Sequence, residues 1–400
     1  MPQEPRLSSW LRDSPGALLQ LFRAYPDGLT RGEAVRLTGL SRTAVNQRLE
    51  VLLAARVLQP IGSSAGGVGR PADRFGVNPG RGVLLVADAG ATGLRLALTD
   101  MLAAVVEESY RPIDITAGPA AVLASVGAGF TELLARHDRS PGDVLGIGID
   151  VPGPVDHATG RVVHPPIMTG WHDFDIPAHL RAAYDCPVIV EKDVNAMAFG
   201  EQRIAHPDTG ELIFVKLGTG IGTGLVIGGE IYRGADGAAG DVGHIPLSNA
   251  DDDAEVPTCR CGNLGCIEAY AGGWALVRDL EELGHDVSSV DDVVRLTLDR
   301  HPDAVRLVRS AATIVGTAVS DLVNIMNPRV IVLGGQLAAV EDLLFAGIRE
   351  VVYRRSLPLA TRELSILPTH LNAGAGIHGL ARLALDEVHS IARVNAMLGD

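Results

Sequence analysis

Residues 83–100 read VLLVADAGATGLRLALTD, two apolar runs parted by Asp88-Ala-Gly90-Ala-Thr92. The pattern predicts strand, tight turn, strand, because small and turn-forming residues between apolar runs mark a hairpin. Two further stretches carry the same theme. VLGIGID (144–150) runs into VPGPVD (151–156), and ELIFVKLGTGIGTGLVIGG (211–229) sets Gly218, Gly220, Gly222 and Gly224 between two strands. No GK[ST] opens a helix here, so this is not a Walker A loop, yet glycines at that density let backbone N–H groups approach phosphate oxygens. Downstream, 314–328 (IVGTAVSDLVNIMNP) reads as a long helix, 329–335 (RVIVLGG) as a strand ending in a glycine pair, and 375–385 (AGIHGLARLAL) as a C-terminal helix. Strands alternate with helices, which predicts an α/β body with a cleft where the glycine turns meet.

The first eighty residues follow a different pattern. A helix is expected from Ser14, with Pro15 at its first position and Leu18, Leu21, Phe22 and Tyr25 at helical spacing. Thr30 and Glu33 form a capping box for a second helix that stops near Gly39. A third starts at Ser41, with Val45, Leu49, Leu52 and Leu53 on one stripe and Thr43, Asn46 and Gln47 facing outward. Two helices joined by the turn Thr38-Gly39-Leu40, followed by strands over 57–60 and 74–77 around GSSAGGVGRPAD (62–73), describe a winged helix-turn-helix. Ser41, Arg42, Thr43, Asn46, Gln47 and Arg48 become candidate DNA contacts, and Arg70 in the wing suits a narrow minor groove. The alternative is a small helical interaction module with a solvated face.

Charge supports the division. The first eighty residues hold ten arginines and no lysine against six carboxylates, a balance of +4, which leaves −18 for the rest of a chain of net charge −14. An acidic body repels nucleic acid, so DNA contact falls to the head. Four hundred residues exceed one ordinary core. No long uncharged apolar window and no apolar leader are visible, so the expectation is a cytoplasmic protein without a membrane span.

Three of the four cysteines, Cys259, Cys261 and Cys266, fall in CRCGNLGCIE (259–268), with His244 fifteen positions upstream. Three thiols and an imidazole match the tetrahedral N/S preference of Zn²⁺. A disulfide fits less well, since one bridge leaves an odd thiol and Cys-x-Cys is close for relaxed geometry. Unligated buried thiols are the other reading, and Cys186, alone before Pro187, reads as a core thiol.

Together these motifs resemble the ROK family of repressors, open reading frames and sugar kinases, in its version with an N-terminal winged helix-turn-helix. The resemblance implies a two-lobed actin-like, ribonuclease H-like ATPase fold: residues 1–80 as winged helix-turn-helix DNA-binding head, 81–194 as first lobe completed by a C-terminal helix 372–400, and 195–371 as second lobe with the zinc motif and oligomer interface. It implies phosphate contacts at Asp88, Gly90 and Thr92, at Gly218, Thr219 and Gly220, and at Gly334 and Gly335, for ATP and Mg²⁺ if kinase activity is retained. Sugar contacts are implied at Gly153, Lys192, Asp193, Asp241, His244 and Glu268, with Asp193 as catalytic base in a kinase. His244 would serve zinc with one ring nitrogen and sugar with the other, the metal being structural because four protein ligands close the site.

Three positions depart from the family pattern: Lys192 where kinases have Asn, Asp241 where they have Glu, and Pro166 in HPPIMTGW (164–171) where an Asn is usual. Each alters hydrogen bonding to sugar hydroxyls. Lys192 either faces an acidic or phosphorylated ligand or is solvated. The leading expectation is a sugar-responsive repressor, a homodimer or homotetramer on a palindromic operator, with a sugar or sugar phosphate as effector. An ATP-dependent sugar kinase is the second, and a zinc-stabilised scaffold without DNA contact the third.

Overall fold

The computed structural model describes residues 14–63, 72–247 and 256–399. The head begins with α1 (Pro15–Arg23), capped by Ser14, whose side chain accepts the Ala17 N–H. Strand β1 (Leu29–Thr30) leads into α2 (Arg31–Thr38), where Thr30 and Glu33 form the expected capping box and Gly39 ends the helix at φ 70°. Ser41 caps α3 (Arg42–Ala54). Strands β2 (Leu58–Ser63) and β3 (Asp73–Val77) pair antiparallel, and β1 adds to the far side of β3, a strand too short to show in the sequence pattern. Leu18, Leu19, Phe22, Val45, Leu49 and Leu52 pack together, while Tyr25, expected on the stripe, is 40% exposed because α1 ends two residues before it. Burying a Phe22-sized side chain contributes roughly 2–3 kcal/mol. Arg70 lies outside the described residues.

The body uses one topology twice. In the first lobe β4 (Val83–Ala89), β5 (Gly93–Thr99) and β6 (Val105–Pro112) form an antiparallel meander, followed by α4 (Pro119–Arg136). Strand β7 (Val144–Val151) then lies parallel to β4. After the small ribbon β8 (Val155–Asp156) and β9 (Arg161–Val162) and helix α5 (Ile176–Arg181), β10 (Val188–Lys192) adds parallel to β7, giving the order β10-β7-β4-β5-β6. Helix α6 (Asp193–Ile204) leaves β10 directly. The second lobe repeats this with the meander β11 (Leu212–Leu217), β12 (Ile221–Ile227) and β13 (Glu230–Ile231). Helices α7 (Ile267–Ala271), α8 (Gly273–Glu282), α9 (Val290–Leu298) and α10 (Pro302–Met326) precede β14 (Val330–Gly334), which runs parallel to β11. Asn327 stops α10 in the left-handed conformation at φ 47°, directly before Pro328. Helices α11 (Glu341–Arg355) and α12 (Pro358–Thr361) lead to β15 (Ser365–Pro368), parallel to β14, for the order β13-β12-β11-β14-β15. Strand β4 is apolar except for Asp88 near its cleft end, because both faces of the sheet are covered.

Helix α13 (Ala375–Val388) follows β15 as α6 follows β10, and the two cross closely between the sheets. Small residues make that crossing possible: a Cβ on Gly379 would strike the Ala196 carbonyl, and one on Gly200 the Ala375 carbonyl. The C-terminal segment then divides, unlike the single first-lobe element expected over 372–400. Helix α13 packs on β4 and β7, whereas α14 (Ile391–Leu398) turns away and places Val394 in the core of the head. Asn395 Oδ1 accepts the Gly16 N–H at 2.9 Å, the His389 carbonyl accepts Gln20 Nε2–H at 2.6 Å, and Arg23 pairs with Asp386.

Candidate functional site

The ends of both sheets open onto one cleft of about 330 Å³. The β4–β5 turn brings Asp88, Gly90 and Thr92 to its wall, and the β11–β12 turn brings Gly218, Thr219 and Gly220. Gly153, Lys192, Asp193, Asp241, His244, Glu268 and Gly335 line the same cleft, as does Pro166. Gly334 does not: it is buried on β14, and the Phe214 ring occupies the space a side chain there would need.

Several of these side chains are also bonded to one another or to the backbone. Asp193 opens α6, its Oδ1 accepting the Val194 N–H at 2.6 Å and its Oδ2 bonded to the Lys216 ammonium. Lys192, 8% exposed in its side chain, is bonded to Asp241. It is therefore not a solvated lysine, and two of the three departures from the family pattern are partners in one ion pair. Removing either would strand the other charge in a partly buried site. Glu191 is buried beside them; its Oε1 accepts the Lys192 N–H at 3.0 Å and Asn195 Nδ2–H at 2.9 Å, and its Oε2 accepts Arg233 Nε–H at 2.8 Å. Glu268, expected as a sugar ligand, has both oxygens engaged by the protein: Ile221 N–H donates to Oε2 at 2.8 Å and Trp274 Nε1–H to Oε1 at 3.1 Å. It thereby pins the glycine turn, and Gly220 has no room for a Cβ against that carboxylate.

Asp88 and Asp150 are register partners on β4 and β7. Burial raises the pKa of both, and Asp150 goes well above the carboxylate range because Asp88 adds to the burial. Lys216 responds oppositely. Burial favours its neutral form, but Asp193 first, then Asp88 and Asp150, outweigh that and hold the ammonium charged. Sequence reading missed Lys216, Asp150 and the cleft residues Arg260 and Trp274. Arg260 and Arg278 lie 4.8 and 5.3 Å from the Trp274 ring centroid.

His244, Cys259, Cys261 and Cys266 come together with all four donor atoms within 4.8 Å of one another. His244 Nδ1 is 3.7 Å from Cys259 Sγ, and Cys261 Sγ is 3.7 Å from Cys266 Sγ. Zn–S bonds of about 2.3 Å at tetrahedral angles require S···S edges of about 3.8 Å, so the spacing fits that group. Gly262 and Gly265, at φ 92° and 72°, supply the left-handed turns that fold the thiols inward. Isolated Cys186 packs against the first-lobe core, its pKa raised to about 11 by burial.

On the head, Ser41, Arg42, Thr43 and Gln47 are exposed along one face of α3. Asn46 is half-buried and its Oδ1 accepts Arg31 NH1–H at 3.3 Å; Arg48 is also half-buried.

The duplicated sheets, the shared cleft and the cysteine-histidine loop define the class. Residues 85–387 match the model of the ROK family, and the chain belongs to it. A xylose repressor from Bacillus subtilis is 26% identical over 359 residues, covering 90% of this chain and 91% of its own. A glucokinase from Halalkalibacterium halodurans is 28% identical over 323 residues, 77% of this chain and 96% of its own. Among solved structures, a ROK family transcriptional regulator homologous to the E. coli MLC protein superimposes with a TM-score of 0.78 at 22% identity, covering 98% of this chain and 99% of its own. A ROK hexokinase from Thermus thermophilus gives a TM-score of 0.61 at 29% identity, over 76% of this chain and 99% of its own. The kinases have no counterpart for about a quarter of this chain, by the share left uncovered. No helix among the described residues is long and apolar enough to cross a membrane.

Proposed function

We propose that this protein is a sugar-responsive transcriptional repressor whose operator affinity is set by a sugar bound in the cleft. The observation that carries the reading is the head: a helix with an exposed Ser-Arg-Thr start and an exposed glutamine, in a chain that a repressor relative matches over 90% of its length and a glucokinase relative over 77%. The head acts as a winged helix-turn-helix with α3 in the major groove, where Arg42 and Gln47 reach base edges and Ser41 and Thr43 meet phosphate. Two heads in a homodimer meet a palindromic operator. In the body, zinc held by His244, Cys259, Cys261 and Cys266 stiffens the loop before Glu268, and His244 presents its other ring nitrogen to the sugar. The protein works in the cytoplasm and is not an enzyme. The kinase reading has the family and Asp193 in its favour, but the Asp193 carboxylate is tied to Lys216 rather than open to a hydroxyl.

Selection from a random duplex pool tests the DNA assignment. A two-fold-symmetric site should be enriched by the wild type at physiological salt and lost in an Arg42→Ala, Gln47→Ala double variant. Equal binding by both would remove α3 as the reader. Thermal shift against a sugar panel, with xylose first because of the repressor relative, tests the effector. Metal analysis of protein purified without chelator should return about one zinc per chain.

A further inference from the structure

Lys216 is the penultimate residue of β11, with Gly222 opposite it on β12 and Gly334 on β14. Two glycine neighbours leave its stem unobstructed, and it reaches across the cleft to the other lobe. There its ammonium bonds Asp193 at the head of α6 and lies in the field of Asp88 and Asp150 on the ends of β4 and β7. Asp150 is fully buried; its Oδ1 accepts the Ala89 N–H at 3.2 Å, and its side chain is hydrogen-bonded to that of Asp88. Three carboxylates from one lobe thus converge on one ammonium from the other. Such a cluster in a kinase would serve a nucleotide's divalent cation, since phosphoryl transfer relies on metal to neutralise phosphate charge. Here a fixed cation already stands among the acids and offsets their charge, so the donor set has less negative charge left to hold Mg²⁺.

We propose that the Lys216 ammonium is an internal counter-ion that takes the place of a divalent cation in this cleft. The site then binds a sugar without metal or nucleotide and leaves its hydroxyls unmodified, and the Lys216–Asp193 bond draws the lobes together around it. The inference rests on the sensor reading above and deepens it by naming what silences the kinase-like chemistry.

The test uses the full chain with its zinc in place. Free Mn²⁺ is titrated by electron paramagnetic resonance, and sugar affinity is measured by calorimetry with and without Mg²⁺ and ATP. For wild type, no Mn²⁺ uptake is expected in the cleft, and Mg²⁺ with ATP should change sugar affinity by less than about twofold. Lys216→Met should take up Mn²⁺ and show sugar affinity that depends on Mg²⁺ by about tenfold, roughly the 1.4 kcal/mol of one lost charge contact. Lys216→Arg, which keeps the charge, should restore metal independence. Wild-type uptake of Mn²⁺ with ATP, or ADP release lost on Asp193→Asn, would overturn the proposal even if Lys216→Met failed to fold. A folded Lys216→Met chain with wild-type affinity and no metal dependence would overturn it as well. Operator binding is scored separately: a wild type that binds operator yet turns over ATP sinks this inference alone, and a metal-independent sugar binder that ignores DNA sinks the repressor reading alone.

Discussion

The two sheets of the body share one strand order, yet their equivalent positions carry opposite charge. Asp88 and Lys216 are each the penultimate residue of the first strand, and each faces a glycine turn. Their neighbours on the parallel strand are Asp150 in one lobe and Gly334 in the other. The helix that follows the last strand starts with Asp193 in one lobe and with Ala375 in the other. A duplicated scaffold therefore presents acids from one side and a base from the other. Fold alone sets where these side chains converge, and residue identity decides what the convergence does.

The largest effect is expected from making the two positions alike in sign. Lys216→Asp replaces the ammonium with a fourth carboxylate, and should lower unfolding free energy by roughly 3–5 kcal/mol, as for a broken buried ion pair, measured by urea denaturation. A loss below about 1 kcal/mol would mean that the lobes do not depend on the opposition of charge.

The second test exploits where the lobes differ, since only α13 runs on into the head. His389 at that joint is 2% exposed, and burial, followed by the charges of Arg23, Arg81 and Arg382, pushes its pKa down to about 3. An unfolded histidine titrates near 6.5, so below that pH the unfolded chain takes a proton that the folded chain refuses until about pH 3. Stability from this group is present above pH 6.5 and is lost as pH falls through that window, by about 3 kcal/mol between pH 7 and pH 4. His389→Leu should flatten this part of the melting profile; an unchanged slope would assign the acid sensitivity elsewhere.

Next comes the helix crossing that joins the two halves. Gly379→Ala drives a methyl group into the Ala196 carbonyl and should cost about 2 kcal/mol after the gain in helix propensity, read as a lower denaturation midpoint. The smallest change is Trp274→Phe, which removes the N–H donor to Glu268 and should cost about 1 kcal/mol while raising the mobility of the second-lobe turn. Hydrogen exchange at Ile221 reads that change, because its N–H donates to the same carboxylate.

Much of this architecture is legible in the chain because it is local. Caps at Ser14, Thr30 with Glu33, and Ser41 mark three helices through contacts within a few residues, and the cysteine spacing brings its thiols together through one short loop. What escaped depends on pairing across long separations. Lys216 sits in a strand and reads as an edge of the pleat until Asp193, on another lobe, is seen beside it. Lys192 and Asp241 look like two separate losses until they are found bonded. Glu268 fits a ligand role by motif, but its bonds to the Ile221 N–H and the Trp274 Nε1–H are not foreseeable from that motif. Asn46 reads as outward-facing on α3, but Arg31 on the neighbouring helix holds it.

The placement of Val394 also bears on the order in which the protein is made. Chains emerge from the ribosome N-terminus first, and domains ordinarily fold as they emerge. A head whose core is completed by α14 stays unfinished until residues 391–398 have been made, more than three hundred positions after its own helices. A chain that stops before α14 therefore lacks part of the core of its head, however complete the sequence of the head itself.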